Sequence, residues 1–95
     1  MSDAPSKRSI DSTPEQVTLA VDTERAETIL HDIAVQLTFV GLTRQGAALH
    51  GRALALKRDV VHWAESAPAE SQRLATIQEL LELHERVKEE RRKQR

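Results

Sequence analysis

The sequence predicts an all-α fold: a small three-helix bundle, made of a helical hairpin plus a third helix, that dimerises and carries a disordered N-terminal tail. Three observations lead there. Apolar or small residues recur at spacings of four and three in Leu42, Gly46, Leu49, Ala53, Leu56, Val60 and Trp63, the seam of a packed amphipathic helix. Capping signals at Thr13, Thr43 and Pro68 divide the chain into three helical stretches. Only Val17-Thr18-Leu19-Ala20-Val21 alternates like a strand, and the helix start just before it reads the same residues as helix.

Residues 1–12 hold Ser, Asp and Pro with almost nothing to bury, and read as a disordered tail. Residues 13–95 form a single helical domain. In Thr13-Pro14-Glu15-Gln16, Thr13 is the N-cap, Pro14 sits at the first helical position, and Gln16 closes a capping box. The first helix covers about 14–40, with its stripe at Leu19, Ala26, Leu30, Ile33, Leu37 and Val40. Asp22-Thr23 interrupts the stripe and offers a cap for a new helix start. Gly41 is placed to end the helix in a left-handed conformation, with Leu42 as the apolar contact after it.

Thr43 caps a second helix over about 43–65. Gly46 and Gly51 inside it each cost about 1 kcal/mol relative to Ala, which implies close backbone approach or a break. Pro68 opens the third helix, about 68–93, with Glu82–Arg86 and Glu89–Lys93 at salt-bridge spacing. Leu74, Ile77, Leu80, Leu81, Leu83 and Val87 spread over about half of its circumference. His84 falls among them as a core or core-edge histidine.

Composition narrows the function classes. The chain has 95 residues, no cysteine and a net charge of −1. Disulfides and thiolate metal sites are thereby removed, and a cytoplasmic location fits. No apolar run approaches the length of a membrane span. Phe39 and Trp63 are the only aromatic residues, too few for stacking on single-stranded nucleic acid. Charge is uneven: from Ile33 to Arg58 there are four Lys or Arg residues (Arg44, Arg52, Lys57, Arg58) and no acid. A small, basic row, Arg44, Ala48, Gly51, Ala55, Arg58 and His62, runs along the back of the second helix.

Catalytic and metal signatures are weak. The chain has no nucleophile motif and no Gly-rich loop opening a helix after a strand. His31, His50, His62 and His84 form no H-x3-H pair, and E-x-x-H never occurs. No cofactor, metal or catalytic residue is expected. Leu37-Thr38-Phe39-Val40-Gly41-Leu42-Thr43-Arg44 loosely resembles the L-x-x-L-L-x-x-R segment of chorismate mutases, which are small all-helical dimers. That family's Lys three turns onward is Ala55 here, and its upstream Arg falls at Glu27. The cations that would clamp a dicarboxylate are missing, so the likeness implies helical patterning rather than activity.

Two DNA-binding shapes bear comparison. Leu42 to Glu65 loosely resembles a repressor-type helix-turn-helix, with Gly51 as the turn, but its spacing is about two residues too long and the seam through Ala53 opposes a break. Val17–Val21 followed by an Asp22 cap resembles a ribbon-helix-helix start. The leading expectation is a non-catalytic interaction protein (an adaptor, regulator or assembly subunit) working through helix faces, as a homodimer or with a protein partner. Val35 and Phe39, opposite the main stripe of the first helix, are the expected interface, because leaving them in water forgoes burial that a small domain needs. The alternative is a small DNA-binding regulator using Arg44, Arg52, Lys57 and Arg58.

Overall fold

The computed structural model describes residues 14–41 and 43–93. The expected tail, the Thr13 cap, and Leu42 as a seam and loop contact lie outside the described residues. The chain is all-helical: α1 (Pro14–Leu37), α2 (Arg44–Val61), a one-turn α3 (Trp63–Ser66) and α4 (Glu70–Lys93). Side-chain bonds join residues 22, 32 and 36 of α1 to 73, 84 and 91 of α4, so α1 and α4 run parallel. Residues 52 and 59 of α2 meet 79 and 76 of α4, so α2 runs antiparallel to both. The order is up, down, up.

The core is Ala26, Ile33, Val40, Leu56, Val60, Trp63, Ile77, Leu80, Leu83 and Val87. Leu19, Leu30, Leu37, Leu49 and Ala53 pack against it half-buried. The inward faces of the first two helices are thus those that the periodicity marks. On α4, Leu74 is 47% exposed and falls outside the core.

Several boundaries differ from the sequence expectation, each for a local reason. Asp22-Thr23 starts no new helix: the Thr23 hydroxyl donates back to the Leu19 carbonyl at 2.7 Å, and α1 runs through. Val17–Val21 is helix, as the start before it reads it, and the strand alternative fails. α1 ends at Leu37 because the Thr38 hydroxyl takes the Val35 carbonyl at 2.6 Å. The next amides then tighten to i−3 partners, Phe39 N–H to Gln36 and Val40 N–H to Leu37. Gly41 follows with φ +87°, the conformation expected of it.

Thr43 caps α2 as anticipated, its hydroxyl accepting from Gly46 N–H at 2.9 Å. The two glycines of α2 differ. A Cβ on Gly46 would stand 2.6 Å from the Gly41 carbonyl oxygen, so this glycine lets the helix start close on the preceding turn. A Cβ on Gly51 would meet nothing within 4 Å. The second helix stops at Val61, short of the expected 65. His62 Nδ1 contacts the Arg58 carbonyl at 2.7 Å, while the His62 backbone N–H turns to Asp59. Trp63 follows the break and stays on the seam, 1% exposed in the core, and Ala67 then ends α3 in the left-handed region at φ 45°.

α4 begins at Glu70, two residues after the expected Pro68. Ala69 N–H is met by the Gln72 side chain at 3.3 Å, half of a capping box. The ion pairs within α4 are Glu85–Lys88 at 2.9 Å and Glu90–Lys93 at 3.3 Å. The expected i,i+4 pairs, Glu82–Arg86 and Glu89–Lys93, are not among them. The hydrogen bond from Lys88, together with its charge, holds the exposed Glu85 carboxyl below the usual carboxylate range.

Candidate functional site

α1 meets its two neighbours differently. Against α4 polar contacts cross the seam along its length. Arg73 Nε donates to Asp22 Oδ2 at 2.9 Å, with both side chains at or below 10% exposure. Arg73 Nη1 also donates to the Pro68 carbonyl at 2.8 Å. Farther along, His84 Nε2 bonds Asp32, and Arg91 donates to Gln36 Oε1 at 2.7 Å. Among the described residues, no buried side-chain nitrogen or oxygen lacks a partner.

Sequence reasoning missed the Asp22–Arg73 pair. The signal was present: each residue sits at a stripe position of its helix, Asp22 between Leu19 and Ala26, and Arg73 one turn before Ile77. Opposite charges at two core-register positions are the mark of a buried pair.

Against α2 the seam is open. A groove of about 590 Å³ runs between α1 and α2 on the side away from α4. Leu30, Ala34 and Leu37 form its α1 wall, and Ala53, Leu54, Val60 and Val61 its α2 wall. Leu54 is 44% exposed and Val61 is 61% exposed. Glu27 and His31 rim the α1 side, and His50 and Lys57 the α2 side. Among the described residues, no ion pair joins α1 to α2. The groove is an apolar trough with a few charges at its edge, the shape that receives an amphipathic helix.

The expected interface residues lie elsewhere on α1 and its following turn. Val35 is 40% exposed and Phe39 is 56% exposed. The Arg91 guanidinium sits 4.1 Å from the centre of the Phe39 ring, so α4 covers one side of that ring by a cation–π contact. Val17 and Val21, five turns before Val35 and Phe39, continue this exposed strip along α1.

The four cations of the DNA-binding alternative are all exposed on α2 and have different neighbours. Arg44 and Arg58 are exposed on the outward row of α2, Arg52 is paired with Glu79 of α4, and Lys57 lies on the groove rim. The shapes that would present them are also absent: the strand at Val17–Val21 is helix, and α2 passes Gly51–Ala53 without a turn.

Among the described residues, no three His, Asp or Glu side chains converge as a metal site, and no helix is long and apolar enough to cross a membrane. Comparison with known protein families, with curated proteins and with solved structures gives no match for this chain.

Proposed function

We propose that this chain is a non-catalytic interaction protein that works by receiving an amphipathic helix along the groove between α1 and α2. One observation carries the reading. Leu54 and Val61, two turns apart on α2, stand 44% and 61% exposed along an apolar trough that α4 leaves uncovered. Covering them gains about 1–2 kcal/mol together, and a helix laid there adds the half-buried Leu30 and Leu37 to its contacts. Val35 and Phe39 form a narrower strip on another side of α1 and serve as a secondary contact.

The test is a panel of amphipathic helical peptides selected on the wild-type protein. Binders should be displaced by Leu54→Asp with Val61→Asp and indifferent to Val35→Gln with Phe39→Gln. A selection that returns no binders, or binders indifferent to the groove pair, overturns the reading. The DNA-binding alternative has a weaker footing, since only Arg44 and Arg58 share an outward face. It requires steeply salt-dependent binding to duplex DNA, flattened by Arg44→Ala with Arg58→Ala.

A further inference from the structure

The groove's charge pattern names an occupant. Taking the groove as a helix-docking site, we infer that a second copy of this chain fills it, packed about a two-fold axis running along the bundle. Glu27 on the α1 wall and Lys57 on the α2 wall both line the groove. Neither makes an ion pair with another described residue. An unrelated helix would need an acid on one flank and a base on the other to match both walls. A two-fold axis along the helices meets that need with one operation, because it sets α1 of each copy against α2 of the other. Glu27 then faces the α2 wall that carries Lys57 of the partner subunit, and the reverse contact comes with it.

The apolar relief is self-complementary in the same arrangement. Gly46 lies against the Val40 side chain at the hairpin corner, and Glu27 shares a second hollow with Ala64 at the other end. The antiparallel pairing between these two points sets Leu54 near the height of Ala34, and Val61 within a turn of Glu27. An axis along the bundle preserves height, so the projecting Leu54 of the partner subunit comes down over Ala34, the smallest side chain on the α1 wall. Lys57 lies one turn from Val61, about 6 Å along the axis, within a lysine's reach of Glu27 across the interface. α4 of each copy stays on the outside, where its polar contacts are already made.

The test uses the full chain and charge reversal at two exposed positions. Sedimentation equilibrium at low salt should show a wild-type dimer. Glu27→Lys and Lys57→Glu should each weaken it about tenfold or more, since each places like charges opposite one another. An equimolar mixture of the two variants should form a one-to-one heterodimer, in which every wall again meets its opposite. Recovery on mixing is an outcome that damage to either fold does not produce. A wild type monomeric at about 1 mM, a range that excludes even weak association, overturns the inference. So does a mixture that associates no better than its components. If groove-binding helical peptides are found while the wild type stays monomeric, the docking reading stands and the second copy alone is refuted.

Discussion

The two flanks of α1 are built from the same stripe of apolar residues and end in opposite conditions. The α4 flank is bridged: buried Ile33, Leu80 and Val87 are accompanied by Asp22–Arg73, Asp32–His84 and Gln36–Arg91 across the seam. The α2 flank shares the core through Val60 and Trp63 and then opens into a groove without an ion pair. α2 likewise makes its cross-helix polar contacts with α4, through Arg52–Glu79 and Asp59–Thr76. α4 is therefore the helix that both others reach with polar side chains, while their own junction is apolar. Polar partners specify which helices stay together, and apolar surface without polar partners is what remains free to be shared.

The comparison breaks most sharply at Arg73. Arg73→Met leaves the Asp22 carboxylate buried among apolar neighbours and should cost about 3–5 kcal/mol. Pairing it with Asp22→Leu should recover most of the loss. Urea denaturation of the three proteins decides this, and a single substitution as mild as the double one would show that the pair holds nothing. Next comes Leu56→Ala, expected to cost about 2–5 kcal/mol, because α2 is held chiefly by burial. A change below about 0.5 kcal/mol would remove Leu56 from the core.

The glycines of α2 give the third contrast. Gly46→Ala forces a methyl against the Gly41 carbonyl and should cost about 1–3 kcal/mol. Gly51→Ala meets open space and should stabilise by about 0.5–1 kcal/mol. Thermal melts of both variants measure the difference, and equal signs would refute the packing at the hairpin corner. Smallest of all, Leu54→Gln with Val61→Gln should change the stability of the monomer by less than about 0.5 kcal/mol, measured at a concentration too low for association. A large loss would mean that the groove wall belongs to the core.

How far these two flanks can be read from sequence differs as well. Spacing alone places Gly46, Leu56 and Val60 inward on α2, Trp63 inward at the start of α3, and Ala26, Ile33 and Val40 inward on α1 and its following turn, because a helix's buried face is a local property of 3.6-residue periodicity. The Thr43 cap and the Gly41 turn are legible for the same reason, each being decided within four residues. The Asp22–Arg73 pair joins positions 51 apart, and a short-range reading takes Asp22-Thr23 as a cap instead. The halt at His62 depends on a ring nitrogen reaching the Arg58 carbonyl, which no pattern of hydropathy records. The groove is harder still: it exists because α4 sits on one side of the hairpin and not the other. Arg52 shows the same limit, reading as one of four free cations until Glu79 of α4 is seen beside it.

Parallel α1 and α4 have a mechanical consequence. Pro14 and Lys93 lie at opposite ends of two helices of 24 residues each, a span of about 36 Å. A force drawing these two points apart slides one helix lengthwise past the other. It loads the Asp22, Asp32 and Gln36 contacts simultaneously rather than peeling them in turn. A pull applied instead between Leu37 and Arg44 opens the hairpin from its corner, where no ion pair among the described residues joins the two helices. The same molecule should therefore be stiff when stretched end to end and compliant when pried at the loop.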